Sequence, residues 1–351
     1  MKKVVDSDVS LVYSDNIIKR KVTYMSHEVE TMAYAYDANS KNEAHQHPWH
    51  IAFTKNSSVP VTPDMSPEDM LKKAGIDWTL DRHSQFIEID GKRIPTGKDV
   101  LVRSTDHKIM THVSEDWHEV QNDAFVDFFQ EYCAEGSMEM TTMGSLKGGE
   151  IVFACARIKD MEFSLARGKD IVQPYFLFSN PHQYGKSLDL RFTATRVVCQ
   201  NTLSVALRGF DSETAIRVNH RKAFDPDMVK EQLGIARTHM DSYKEAAEFL
   251  SKKRFSVENL VNYYKEVFPS SSKKEDKMSR QAKIAYDVID TQPGATYEQG
   301  SWWQAFNSVT YTVDHLAGRS DDTRAVSALY GNGRVAKARA LDIALEYAEA
   351  A

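Results

Sequence analysis

The sequence predicts an α+β fold, an antiparallel β-sheet core with a long packed helix and a helical C-terminal part. Two observations carry that expectation. Between about residues 76 and 218, period-two runs follow one another without long intervening helices, which points to antiparallel hairpins and not to a doubly wound sheet. After Asp225-Pro226 the pattern becomes helical, and Met228 to Lys253 runs without a proline and with a single glycine.

In chain order, the first forty residues are polar and mixed, with an alternating stretch from Leu11 to Thr23 that fits a strand. Glu43 to Pro63 reads as an irregular loop. Ser66-Pro67-Glu68-Asp69 has the composition of a helix start: a serine N-cap, a proline at the first helical position and acids in the first turn. That helix stops at Gly75. Ile76, Trp78 and Leu80, then Phe86-Ile87-Glu88-Ile89 and Val100-Leu101-Val102-Arg103, alternate as strands of a meander over 76–114. Asp90-Gly91 and Asp106-His107-Lys108 fall where its turns belong. Asn122 is expected to cap a helix whose Phe125, Phe128, Phe129 and Tyr132 recur at helical spacing and read as core.

Met138–Leu146 and Glu150–Ile158 flank Lys147-Gly148-Gly149 as a hairpin, and Val172–Ser179, Leu188–Val198 and Ala215–Val218 complete the strand set. Beyond the long helix, Ser256 caps a further helix ending near Phe268. Ser270 to Lys277 is the clearest linker, and helices are expected around 278–290, 300–317 and 333–350. These readings divide the chain into an irregular N-terminal region (1–65), an α+β core (66–268), a linker (269–280) and a helical region (281–351).

Composition narrows the function classes. The 351 residues are 42% hydrophobic with a formal net charge of -6, globular in character and of the wrong sign for coating nucleic acid by bulk charge. A local basic groove remains compatible with that balance. Three cysteines, Cys133, Cys155 and Cys199, form no CxxC pair, so a zinc ribbon is not expected and buried thiols are. No secretory leader and no apolar run of membrane-spanning length stand out, so the expected location is the cytoplasm of a bacterial host, without membrane partners.

Several runs resemble an uncharacterised family of phage and plasmid proteins, the family of unknown function numbered 932. Ser26-His27-Glu28-Val29-Glu30-Thr31-Met32-Ala33-Tyr34 is similar to its opening, and Pro48-Trp49-His50 to its next landmark. The family's usual Gly-Leu-Gly is replaced by Ile51-Ala52-Phe53. The resemblance continues in Val102-Arg103-Ser104, Trp117 to Asn122, Arg191-Phe192-Thr193, Arg196 to Leu203, Ile216 to His220 and Trp302 to Asn307. Together these span about residues 25–345. The resemblance implies a mobile-element origin and supplies no activity.

Four constellations are candidates for chemistry. His45, His47 and His50 form an HxHxxH cluster, a candidate metal site if a further ligand comes from elsewhere, or else a solvated loop. No GxSxG elbow, GxxxxGK[ST] loop or GxGxxG occurs, so no catalytic nucleophile and no cofactor are expected. Gly331-Asn332-Gly333-Arg334 is either an anion cradle at a helix start or a plain helix connection.

On a strand, Leu188, Leu190, Phe192 and Ala194 share one face, and Asp189, Arg191, Thr193 and Thr195 the other. Arg191, with Arg196, Gln200 and Asn201, therefore makes a candidate phosphate-contacting segment, or alternatively a buried hydrogen-bonding corner. Arg217, His220, Arg221 and Lys222 form a second basic cluster, which Arg237, Lys252, Lys253 and Arg254 would extend.

The element order is also similar to that of the ring-forming single-strand annealing proteins of phages, an analogy at the level of fold alone. The expected function is thus a non-catalytic phage or mobile-element protein, an oligomer in this reading, binding single-stranded DNA in recombination or replication. Two alternatives stand beside it. One is an interaction protein that binds or inhibits a host factor such as a defence component. The other is a metal-dependent hydrolase built on His45, His47 and His50.

Overall fold

Alternation in the central strands gives the two faces of the main sheet different chemistry. The computed structural model describes residues 66–186, 188–198, 226–270, 277–318 and 321–350, a few side chains excepted, and the backbone of 31–35, 58–61, 201–203 and 215–218. The strands are β1 (Thr31–Ala35), β2 (Ser58–Val61), β3 (Leu80–Ile89), β4 (Lys92–Arg103), β5 (Ile109–Ser114), β6 (Glu139–Leu146), β7 (Ile151–Arg157), β8 (Phe163–Leu165), β9 (Asp170–Pro181), β10 (Leu188–Arg196), β11 (Asn201–Leu203) and β12 (Ala215–Val218). The main sheet runs β11-β10-β9-β7-β6-β1-β2, with β12 also on β10 and β8 on β9. Its pairs are antiparallel except β1 with β2. β3, β4 and β5 form a separate small antiparallel sheet.

The helices are α1 (Pro67–Lys73), α2 (Asn122–Glu135), α3 (Pro226–Lys252), α4 (Val257–Val267), α5 (Arg280–Asp287), α6 (Trp302–Tyr311), α7 (Asp321–Tyr330) and α8 (Asn332–Glu349). Serines 66, 256, 279 and 301 each accept the backbone N–H three residues on, closing an orphan donor at a helix start. A single π-helical turn, Thr312–Leu316, ends α6.

One face of the main sheet presents Phe176, Phe178 and Phe192, all buried. Phe129 and Tyr132 of α2 meet Phe178 edge-on with ring centroids 4.8 Å apart, and His239 of α3 meets Phe192 at 6.2 Å. Each such aromatic contributes on the order of 1.5–3 kcal/mol by leaving water. The opposite face carries a smaller core of Leu146, Ile151, Phe153, Cys155 and Leu177, closed by Leu329, Val326 and Tyr330 of α7. Helices thus lie on both faces of the main sheet. Cys133 and Cys155 are free, buried thiols whose pKa values burial pushes up.

The structure corrects several boundaries. Gln121, not Asn122, occupies the N-cap of α2, and it caps without a side-chain hydrogen bond. The Asn122 side chain instead donates to the carbonyls of Ile76 (2.8 Å) and Trp78 (3.1 Å), tying the helix to the segment that enters β3. Ser58–Val61, within the expected loop, is a strand pairing in parallel with β1. The helix expected over 300–317 is shorter because the π turn interrupts it, and α7 was not foreseen at all. Leu11–Thr23 and residues 271–276 of the 269–280 linker lie outside the described residues. No helix among the described residues is long and apolar enough to cross a membrane.

Candidate nucleic-acid interface

Strand β10 separates the two arginines that stood together in the sequence. Arg191 lies on the face with Asp189, Thr193 and Thr195, whereas Arg196 shares the face of Leu188, Leu190, Phe192 and Ala194. Arg191 donates to Asp189 at 2.6 and 3.2 Å and to the Leu329 carbonyl at 3.4 Å, and its guanidinium lies 5.1 Å from the centre of the Tyr330 ring. The Tyr330 hydroxyl sits 2.7 Å from Ser179 Oγ, and burial pushes its pKa up.

Arg334, in the first turn of α8, completes this corner. Burial is the first cause that lowers its pKa and the Arg191 charge the second, while Asp189 acts in the opposite sense. Arg191 is the ion-pair partner of Asp189, and both charges are felt at Arg334. Asp189 Oδ1, Arg334 Nε and the hydroxyls of Thr193 and Thr195 are buried without a hydrogen-bond partner. Buried polar atoms are nearly always satisfied, so a group of orphans on one face is a feature to account for.

Arg196 is not available for such a role, which corrects its place among the expected contact residues. It is 4% exposed and bonded to Asp170 through Nε (2.7 Å) and Nη2 (2.9 Å). Asp170 also accepts from the Trp303 indole at 2.8 Å, and Arg196 reaches the carbonyls of Pro293 and Gly294. This buried node joins the sheet to α6 and explains the run through Arg196 as a fold-holding segment, the buried corner that was the other reading. At Gly294, φ is +74° and a side chain would meet Arg196 Nη2 at 2.8 Å, so the approach requires glycine.

Arg217 of β12 stands opposite Asp189 in register, and Asn201 of β11 opposite Arg196, so both lie along β10 but at its two opposite ends. Gln200, His220, Arg221, Lys222 and the His45, His47, His50 cluster lie outside the described residues. Among the described residues no group of three or more metal-binding side chains occurs. At the end of α3, Arg254 donates to the Gln299 carbonyl at 2.7 Å and Lys253 lies over Phe249.

Tyr330 and Arg334 were not among the expected contact residues. Their only local signal was Gly331-Asn332-Gly333-Arg334, and those glycines serve packing. A side chain at Gly333 would lie 2.8 Å from Val313 and 2.9 Å from the Ser327 carbonyl, and the Gly333 N–H is already taken by Ser327 Oγ.

A family model described as a domain of unknown function, DUF932, matches residues 109–341, well over half of the chain. The chain belongs to the DUF932 family. No curated protein and no solved structure matches it significantly. Within the DUF932 span, the runs that carried the resemblance hold the fold together. Gln121 exchanges hydrogen bonds with both backbone groups of Leu80 (2.9 Å each), Glu119 pairs with Arg82 (2.6 Å), and Gln304 donates to the Ile289 carbonyl (3.0 Å). His182, bonded to Asn122 at 2.9 Å, is buried and held neutral, its pKa lowered to about 3 by desolvation.

Proposed function

We propose that this DUF932 protein binds single-stranded nucleic acid without acting on it chemically, through the basic corner where β10 meets the first turn of α8. The observation that carries the reading is the Arg191–Asp189 pair beside Arg334, whose Nε is buried without a partner. An arginine fork suits phosphate oxygens, and a phosphate at this corner would balance the second positive charge. Arg217, in register with Asp189, places a third arginine on the adjacent strand. A role in the recombination or replication of a phage or other mobile element is the setting in which such binding makes sense.

The test is a fluorescence-anisotropy titration with labelled single-stranded DNA at low and moderate salt. Each phosphate contact contributes about 0.7 to the slope of log K against log salt for single strands. Arg334→Gln should therefore weaken binding uniformly across sequences and reduce that slope by about one contact. Absence of binding by the wild type, or binding indifferent to salt, rejects the proposal.

A further inference from the structure

A cavity of about 510 Å³ lies between the end of α4, the π turn, α7 and α8. Local packing shapes it. The π turn closes by a bond from the Ala317 N–H to the Thr312 carbonyl (2.7 Å), and Arg324 of α7 donates from Nε to the Ala317 carbonyl (2.6 Å). That bond holds a guanidinium group in the cavity wall, on a residue only 5% exposed. α8 begins hard against the same turn, since a side chain at Gly333 would lie 2.8 Å from Val313. Single π turns of this kind recur at functional sites.

The lining divides by chemistry. Val267, Phe268, Val313 and Ala336 give it an apolar side. On α8, Asn332, Val335 and Arg339 follow one another at helical spacing, so an amide, an exposed valine and a cation share one stripe of the wall. Arg339 is exposed and makes no ion pair with a described residue. Among the described residues the lining holds two arginines and no carboxylate. The first turn of α8, which contributes Asn332 and Gly333, adds the partial positive charge of a helix start.

We propose that this cavity binds a small organic anion, an apolar or aromatic body bearing one carboxylate, sulfonate or phosphate group. Arg339 meets the anionic group, Arg324 adds its charge from the wall, and the body lies against the valines and Phe268. Size and charge choose this occupant. The volume falls in the range of roughly 300–1,000 Å³ that small-molecule sites occupy, and such sites combine apolar walls with a few convergent polar groups. The two arginines stand on different helices around one volume, which suits a single anionic group and not the repeated charges of a polymer. The inference does not rest on the nucleic-acid proposal, because Asp189, Arg191, Tyr330 and Arg334 take no part in the lining.

The test is a fluorescence titration of the full chain with 1-anilinonaphthalene-8-sulfonate, an aromatic body with one sulfonate. The wild type should bind it saturably. Arg339→Glu, at an exposed position that supports no core, should weaken binding about tenfold or more, the worth of one charged hydrogen bond. Ala336→Phe, which fills the cavity, should weaken it as well. N-phenyl-1-naphthylamine, the same rings without the sulfonate, should bind about tenfold more weakly than the anion to the wild type and equally to Arg339→Glu. The inference is overturned if the wild type binds no anionic probe, if Arg339→Glu binds it like the wild type, or if the neutral probe binds as tightly as the anion. It is equally overturned if single-stranded DNA displaces the probe and Arg339→Glu loses both, since the cavity would then belong to a nucleic-acid interface. Loss of DNA binding by Arg334→Gln with probe binding intact would leave it standing.

Discussion

Asp170→Asn should cost more stability than any surface change, because it leaves a buried cation without its counter-charge. Asp170 is fully buried and accepts three hydrogen bonds of 2.7–2.9 Å, two from Arg196 and one from Trp303. Asparagine keeps the shape but removes the charge and presents a donor where two donors already point. Breaking a buried pair on one side costs about 3–5 kcal/mol. For 351 residues, an unfolding entropy of about 2.1 cal/mol/K per residue converts that loss into a melting point lower by roughly 4–7 °C. Calorimetry on wild type and variant supplies the number, and near-UV circular dichroism reports the Trp303 environment. The double change Asp170→Leu/Arg196→Met, apolar on both sides, should recover part of the loss, as replaced buried pairs do elsewhere. A loss below about 1 kcal/mol would refute the reasoning, and so would an Arg196→Gln variant that weakens DNA binding while melting like the wild type.

Other expectations are simpler to check. His182 stays neutral in the folded chain down to about pH 3, whereas the unfolded chain protonates it near 6.5. Stability should therefore be complete above that upper value and fall with acid across the window, by at most about 1.4 kcal/mol per pH unit, with His182→Gln flattening the urea-midpoint profile. Gly149→Ala should cost roughly 1–3 kcal/mol in thermal unfolding, since φ there is +87° and the new methyl would lie 2.9 Å from both Trp78 and Arg103. Gly91→Ala, also at positive φ but with nothing within 4 Å, should cost only about 1 kcal/mol.

Local periodicity made most of the fold legible. The hairpin around Lys147-Gly148-Gly149 and the Asp90-Gly91 turn were readable because such turns demand positive φ, which all five residues adopt. The long helix Pro226–Lys252 and the serine caps at 66 and 256 were readable from breakers and cap chemistry. What escaped depended on distant partners. Asn122 looks like an N-cap until Ile76 and Trp78 claim its amide. α7 falls between two expected helices, and its Leu329, Val326 and Tyr330 pack on the sheet. At the candidate interface, parity on β10 already placed Arg196 with the apolar face, and grouping it with Arg191 overrode that signal. Arg334 lies over 140 positions from Arg191, beyond the reach of any local pattern.

The distribution of charge in the molecule bears on the proposals. Asp170 with Arg196, and Asp314 with Lys337 at 2.6 Å beside the π turn, are ion pairs buried on both sides. Such pairs add little net stability over an apolar filling, but a helix displaced by one turn would strand a charge in the core. Lys337 with Asp314 thus fixes α8 against the π turn that ends α6, while Asp170 with Arg196 lies within the sheet and reaches α6 through the Trp303 indole. The placement of Arg334 depends on the same constraint, because α8 carries both Lys337 and Arg334. A shift of α8 would move Arg334 away from Asp189 as it pulled Lys337 from Asp314. Lys337→Met is consequently expected to disturb the Arg334 corner without touching it, which separates a site positioned by the fold from a mobile surface arginine. If Lys337→Met left the salt dependence of DNA binding as it was while lowering stability, the corner would not depend on α8 register.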